Sequence, residues 1–297
     1  MLPELLRKNE LISGNSLIEA STFIAILLGT IAGTMLILHP QGKHLVAVLM
    51  ISISVLGWIS SWYIPLSTLE DPKLPISLEL FTIVSNLFQS IYKKKAIFLS
   101  MLGISWFWFF GATLLAILPQ FTKDVLHADQ TVVSFFMVLF AIGLAVGATI
   151  YGLVAKKKIH SHYIFWSLLG MTLLVLDILL SKNGYNKATP IALMAFQQFI
   201  TIPRHYHIIL DFWLLAILGG FYTVPLYTLI QTRTKPAQRA RVIALNNIMN
   251  ALFMILSALM LMGIALSGAA IPLAFLCLAF GSGGLTLLLY HHRLLLS

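Results

Sequence analysis

The chain has 297 residues, of which 59% are hydrophobic and only 10% are charged, and its mean hydropathy is +0.92. Soluble domains carry fewer apolar and more charged residues, so this composition excludes a soluble enzyme and predicts a membrane protein with several crossings. The formal charge of +9 does not indicate a nucleic-acid partner, because most basic residues lie in loops between apolar runs.

Eight apolar runs predict transmembrane helices, because roughly 20 helical residues cross a hydrocarbon layer of about 30 Å. The runs lie at about 16–38, 44–66, 96–119, 131–154, 162–180, 208–231, 242–267 and 270–290. We therefore expect an all-α fold, a polytopic membrane helix bundle. The segment IALMAFQQFI at 191–200 is too short to span, and we expect it at the membrane interface. A short re-entrant or ninth helix is the alternative.

The basic residues predict the orientation of the chain. Of the 19 Lys and Arg residues, 14 lie in the termini and loops on one side of the predicted spans and 5 on the other. Cytoplasmic loops are enriched in Lys and Arg, so both termini are expected in the cytoplasm. Arg233, Arg239 and Arg241 crowd together in the sequence RTKPAQRAR at the cytoplasmic mouth of the seventh run. Topology alone explains them, and attraction of anionic lipid headgroups is the alternative.

Residues 67–95 separate the second and third runs and contain an amphipathic pattern over 76–92. If this stretch is helical, one face is apolar and the other polar. The apolar face carries Leu80, Val84, Leu87, Phe88 and Ile91, and the polar face carries Glu79, Thr82, Asn86, Gln89 and Lys93. We predict an amphipathic helix on the cytoplasmic surface that links two sets of spanning helices.

Polar side chains inside the apolar runs are candidate functional residues, because burying them in hydrocarbon costs free energy. Glu19 lies one turn inside the first run, either at headgroup level or facing a cavity. Asn246, Asn247 and Asn250 open the seventh run, and their spacing places Asn250 beside the other two on one helix face. Their carboxamides could bind a phosphate or amine headgroup, or hydrogen bond to neighbouring helices.

Two further patterns concern helix packing. The sequence ISWFWFFGA in the third run contains Trp106 near mid-membrane, where the aromatic cluster forms either a packing surface or an apolar slot for an acyl chain. Gly29 with Gly33, and Gly143 with Gly147, form small-xxx-small pairs that allow close helix approach. The first and fourth runs are therefore the candidates for contact across a domain interface.

Enzyme motifs are not evident. His207 and Asp211 have three intervening residues, one fewer than the H-x-x-x-x-D pair of an acyltransferase. His205, His207 and Asp211 could bind a metal in principle, but we interpret them as interfacial residues, as we do Asp177. Neither a P-loop nor a G-x-G-x-x-G motif occurs. We expect no catalysis, no cofactor and no metal.

Four segments together resemble a known family: GNSLIEASTFIAILLGTIAG (14–33), GISWFWFFGATLLAILPQ (103–120), GGFYTVPLYTLIQTR (219–233) and RARVIALNNIMNALFM (239–254). They are similar to the lysophospholipid transporter branch of the major facilitator superfamily, including forms fused to an acyltransferase and an acyl-ACP synthetase. That family has twelve spans, and the eight runs here match its helices five to twelve. Three explanations for the four missing helices stay open: a misassigned start, a split gene and a truncated gene.

The resemblance implies a domain organisation. Residues 1–66 would be the remainder of an N-terminal half with two transmembrane helices, residues 67–95 the cytoplasmic linker, and residues 96–297 the C-terminal six-helix half. Helices five and eight of the superfamily meet across the interface between the halves. In this chain the same contact would join the Gly29 and Gly33 face to the Gly143 and Gly147 face.

The resemblance also implies a function. Lysophospholipid, such as lysophosphatidylethanolamine, would move from the outer to the inner leaflet of a bacterial inner membrane for reacylation, as the halves rock around a central cavity. The candidate cavity residues, with Glu19, are Trp106, Trp108, Tyr222, Tyr227, Asn246, Asn247 and Asn250. Expected partners are membrane lipids and either an acyltransferase or a separately encoded N-terminal half. The alternatives are another small-molecule carrier of the superfamily and a non-transporting membrane subunit.

Overall fold

The computed structural model describes residues 6–7, 10–37, 39–63, 80–155, 158–181, 192–268 and 271–292. In these ranges the chain is helical, apart from turns and one isolated bridge between Ala128 and Met194. The α-helices are α1 (Leu11–Ile37), α2 (Gly42–Ser61), α3 (Leu80–Tyr92), α4 (Lys95–Asp124), α5 (Gln130–Val154), α6 (Ser161–Ser181), α7 (Phe196–Phe199), α8 (His205–Arg233), α9 (Arg239–Leu266) and α10 (Pro272–His291).

Eight of these helices are long and apolar enough to cross a membrane: α1, α2, α4, α5, α6, α8, α9 and α10. Each coincides with one predicted run, which confirms the all-α class and the multi-pass membrane architecture. We call the end of the bundle that holds Leu11 and Arg233 the near end, and the end that holds Asp124 and His205 the far end. The segment between α6 and α8 contains only the four-residue helix α7 within its described part, so the expected non-spanning segment is confirmed there.

The helix α3 is the amphipathic helix that the sequence predicts, over the described part of 76–92. Ile91 is buried, and Val84 and Leu87 pack against the main core. Phe88 is partly exposed and its ring packs edge to face with Phe98 of α4, with the ring centroids 6.0 Å apart. The remainder of the predicted linker, 67–79, lies outside the described residues.

The far end is held by a short loop between α4 and α5. Asp129 caps α5, because its side chain accepts a hydrogen bond from the backbone N–H of Thr131 at 2.8 Å. The Thr131 hydroxyl also donates to this carboxylate, and that hydrogen bond keeps the pKa of Asp129 below its usual value. The Met194 N–H donates to the His127 carbonyl at 2.9 Å, which fixes the segment before α7 against the loop.

The helices α5 and α8 make the most extensive contact in the bundle. Gly147 of α5 lies against the Ile217 carbonyl, and Gly220 of α8 lies against the Leu144 carbonyl, so a Cβ atom at either glycine would collide with the opposite backbone. Gly143 lies against the Ala216 methyl group. Glycines therefore let these two helix backbones touch directly.

The helix α1 packs on α5 as the resemblance implied, but the glycine pairs do not make that contact. The Ser16 hydroxyl donates to the Ala148 carbonyl, and Gly152 lies beside Ser16. Among the residues that the structure describes, Gly29 and Gly33 have no atom of another helix within 4 Å of the position of an added Cβ. The expected pairing of the two glycine faces is therefore wrong in this structure, because α1 touches α5 at the near end and leaves open space beside its glycines.

We predict that Gly147→Ala lowers the thermal stability of the purified protein. The added methyl group would force the α5 and α8 backbones apart, at a cost of about 1–3 kcal/mol. Gly33→Ala is the matched control, because its methyl group enters open space. Thermal unfolding in detergent measures both variants, and equal unfolding temperatures for the two would contradict the close contact.

Candidate functional site

A group of polar side chains meets between α4, α8 and α9. This polar cluster comprises Ser105, Trp108, Tyr227, Asn246 and Asn250. Trp108 Nε1 donates to the Tyr227 hydroxyl at 3.3 Å. Asn246 and Asn250 are buried on the inner face of α9, one turn apart. Four of the expected cavity residues are thus brought together by the structure.

The Asn250 carboxamide connects the cluster. In the orientation that satisfies both the oxygen and the nitrogen of this carboxamide, its Nδ2 donates to Ser105 Oγ at 2.9 Å and to the Asn246 backbone oxygen at 3.1 Å. Its Oδ1 accepts from Asn246 Nδ2 at 3.2 Å, and it shares the Trp108 N–H with the Tyr227 hydroxyl, each at 3.3 Å from Nε1. Asn250 therefore joins α4 to α9 in a region where water cannot replace a missing partner.

The Glu19 carboxylate extends the cluster to α1. Glu19 is half-buried and lies one turn beyond Asn15, whose side chain hydrogen bonds to α8. Asn246 Oδ1 is buried and has no hydrogen-bond partner within the described part of the chain. A buried acceptor without a donor costs about 1–3 kcal/mol, so this oxygen is a position where a ligand's donor would be stabilised.

An apolar pocket of about 200 Å³ adjoins the polar cluster. It lies between α1, α4, α5 and α9, and its walls include Phe23, Leu27, Trp108, Met137, Phe140 and Met254. Trp108 belongs to both parts, since its ring lines the pocket and its Nε1 hydrogen bonds in the cluster. The two parts form one amphipathic site.

The site extends along α1. Glu19 marks its polar end, Phe23 follows one turn later, and Thr30 lines the pocket three turns beyond Glu19. Eleven residues of helix correspond to about 16 Å. The Thr30 hydroxyl donates to the Ile26 carbonyl of its own helix at 2.8 Å, so it adds little polarity to the wall. Along α1 the wall of the site is therefore polar at Glu19 and mostly apolar from Phe23 onward.

Three of the expected cavity residues lie elsewhere. Trp106 packs toward α10, where its ring fills the space beside Gly281 and its Nε1 donates to Ser282 Oγ at 3.0 Å. Tyr222 is fully buried between α4 and α8, with its hydroxyl beside Gly103. Asn247 is exposed on the outer face of α9. These side chains do not line the described pocket.

The arginines Arg233, Arg239 and Arg241 of the near end divide into two kinds. Arg239 is half-buried, and its Nε donates to the Gln231 carbonyl at 3.0 Å, which satisfies one of the last carbonyls of α8. Arg233 and Arg241 are exposed at the same end of the bundle. Arg239 therefore has a structural role in addition to its charge.

A second polar contact at the near end was not expected from the sequence. Asn15 of α1 and Gln231 of α8 form a reciprocal amide pair, in which Asn15 Nδ2 donates to Gln231 Oε1 at 2.9 Å and Gln231 Nε2 donates to Asn15 Oδ1 at 2.8 Å. Asn15 Nδ2 also donates to Thr228 Oγ1 at 3.1 Å. Both amides lie at the ends of apolar runs, so the sequence offered no reason to expect that they are buried. The one available clue is that Asn15 lies one turn before Glu19 and so shares its helix face.

Comparison with known proteins identifies the family. The model of the Major Facilitator Superfamily matches residues 1–258. The chain belongs to the Major Facilitator Superfamily. This agrees with the bundle of spanning helices and with an amphipathic site between them.

Within this superfamily, the chain is similar to curated transporters. It is 28% identical over 253 residues to the lysophospholipid transporter LplT of Escherichia coli O1:K1, and 27% identical over 252 residues to that of Escherichia coli O157:H7. Each alignment covers 84% of this chain and 57% of the relative, so the chain spans little more than half the length of these relatives. No solved structure matches. The resemblance to lysophospholipid transporters of the superfamily is therefore confirmed.

We predict that Asn15→Leu destabilises the protein and that adding Gln231→Met restores most of the loss. The single substitution leaves the buried Gln231 amide without its partner, at a cost of about 1–3 kcal/mol, whereas the double substitution removes both polar groups. A double-mutant cycle in thermal unfolding measures the coupling. Additive losses in the double variant would contradict the amide pair.

Proposed function

We propose that this chain binds lysophospholipid and forms part of a transporter that moves it from the outer to the inner leaflet of a bacterial inner membrane for reacylation. The observation that carries the proposal is the amphipathic site, in which a polar cluster and an apolar pocket share Trp108. The names of the curated relatives support the same substrate class.

The apolar pocket is suited to a single acyl chain. It is a space of about 200 Å³ between four helices, and its walls are mostly aromatic and aliphatic side chains. Burying a chain there would gain about 0.8 kcal/mol for each methylene group removed from water. A lysophospholipid has one acyl chain, so a single pocket of this kind matches it better than a two-chain lipid.

The polar cluster is suited to a zwitterionic headgroup. Glu19 offers a negative charge for an ammonium group, and the carboxamides of Asn246 and Asn250 offer donors and acceptors for a phosphate or an amine. The unpartnered Asn246 Oδ1 would accept a hydrogen bond from an ammonium group. Charge-assisted hydrogen bonds of this kind are stronger than neutral ones in a dry site.

The near end corresponds to the cytoplasmic side in this proposal, with both termini in the cytoplasm. There the Asn15 and Gln231 amide pair and the Ser16 to Ala148 hydrogen bond tie α1 to α8 and α5. We infer that these contacts break when the site opens toward the cytoplasm. In that step α1 would move together with the rest of residues 1–66, which precede the linker. An acyltransferase, or a separately encoded remainder of the transporter, is the proposed partner.

We predict that lysophosphatidylethanolamine with a brominated acyl chain quenches the fluorescence of Trp108. The bromine atoms would lie against its ring in the pocket, so Trp108→Phe should remove most of the quenching. Trp106→Phe is the matched control, because this neighbouring tryptophan packs toward α10. The assay uses the purified chain and needs binding only. Equal quenching in the two variants would contradict an acyl chain in the pocket.

We predict that Glu19→Gln weakens binding of lysophosphatidylethanolamine about tenfold, which corresponds to about 1.4 kcal/mol. The variant removes the charge that would pair with the ammonium group but keeps the size of the side chain. Binding of lysophosphatidylglycerol, which has no ammonium group, should weaken less. Glu10→Gln is the control, since Glu10 is exposed before α1. An equal loss for both lipids would reject the proposed role of Glu19.

A further inference from the structure

A second cluster of ionisable side chains lies at the far end, on the opposite side of the bundle from the amphipathic site's polar end. Asp177 of α6 and His207 and Asp211 of α8 each offer one ligand atom within 4.8 Å of the others. His207 Nε2 is 3.0 Å from Asp177 Oδ2, and His207 Nδ1 is 3.8 Å from Asp211 Oδ2. We call these three residues the far-end triad.

His205, which the sequence grouped with His207 and Asp211, is not part of this cluster. Its Nδ1 lies 2.7 Å from the Phe199 carbonyl, and its ring stacks on the Phe199 ring with centroids 4.0 Å apart. Residues two apart on a helix point to different sides, whereas residues four apart share one side. His207 and Asp211 therefore face α6 together, and Asp177 takes the place that the sequence gave to His205.

The Asp211 carboxylate is buried, and one of its oxygens has no hydrogen-bond partner in the described residues. Asp211 is only 3% exposed, and the oxygen without a partner is Oδ2. Burying an ionised carboxylate without a partner is costly, so the group needs either a bound cation or a proton. Its oxygen faces His207, which is the only side chain that approaches it within ion-pair distance in the described residues.

We propose that the far-end triad binds a divalent transition-metal ion of the Zn²⁺ class. Zinc takes imidazole and carboxylate ligands at about 2.0–2.2 Å, so two ligand atoms on one ion lie no more than about 4.4 Å apart. The three ligand atoms lie within 4.8 Å of one another, which is close to that range. An imidazole in the set favours Zn²⁺ over Mg²⁺ or Ca²⁺, which prefer oxygen ligands alone.

The surroundings support this ligand set. The side chains of His207 and Asp177 are 54% and 47% exposed, so an ion can enter from solvent and keep water in its remaining positions. Ser181 Oγ lies 3.2 Å from His207 Nδ1. When Nε2 binds the ion, the Nδ1–H can donate to this hydroxyl, which fixes the tautomer and the ring orientation.

The ion would cross-link two helices. Asp177 belongs to α6 and the other two ligands belong to α8, so binding would hold the far ends of these helices together. The helix α8 also carries Tyr227 of the polar cluster. The site is nevertheless independent of the proposed lipid binding, because no residue is shared.

The test uses the full chain, purified in detergent, stripped with a chelator and dialysed. We expect Zn²⁺ at a hundredfold excess over its Kd to raise the unfolding temperature by about 5–10 °C, measured by tryptophan fluorescence. His207→Ala and Asp211→Asn should abolish the shift, and Mg²⁺ should not produce it. His44→Ala is the matched control, since His44 is an exposed histidine on α2.

Metal content provides the second measurement. Mass spectrometry after equilibrium dialysis should find one more bound zinc ion per chain in the original protein than in His207→Ala, with His44→Ala unchanged. His207 is more than half exposed, so its substitution should not prevent folding. If zinc produced no shift, or if His207→Ala and Asp211→Asn kept both the shift and the metal, the proposal would be overturned and Asp211 would carry a proton instead.

Discussion

The direct contact of the α5 and α8 backbones determines the rest of the bundle. Gly147 and Gly220 bring each helix against a carbonyl of the other, so no side chains separate them. The helices α1, α4 and α6 also pack on α8. Tyr227 lies on α8, and Phe140, which lines the pocket, lies on α5. The contact between these two helices therefore fixes where both side chains stand. In the proposed function, α1 moves relative to this helix pair.

The membrane imposes a second constraint, because hydrocarbon offers no partner for polar groups. In the polar cluster this requirement is met by Asn250, which hydrogen bonds to Ser105, Trp108 and Asn246 at the same time. Six buried side-chain atoms in the described part of the structure have no hydrogen-bond partner, and Asn246 Oδ1 and Asp211 Oδ2 are two of them. Asn246 belongs to the polar cluster and Asp211 to the far-end triad, and these are the two places where we propose that ligands bind.

Much of the fold could be predicted from sequence, because hydropathy and length alone identify spanning helices. The site was predictable only in part, since its residues depend on how each helix is rotated about its axis. Trp106 and Trp108 are two residues apart and face α10 and the site respectively. The amide pair of Asn15 and Gln231 and the meeting of Asp177 with His207 join different helices. No periodicity within one helix reveals such pairs.

The order of groups along α1 gives the proposed substrate a direction. Asn15 pairs with Gln231 of α8, and Glu19 lies one turn farther along α1. The apolar pocket begins beyond them at Phe23. A lysophospholipid bound here would point its headgroup to the near end and its chain to the far end. Its headgroup would then be separated from the cytoplasm by the amide pair, and breaking that pair would be the step that lets the headgroup leave toward the inner leaflet.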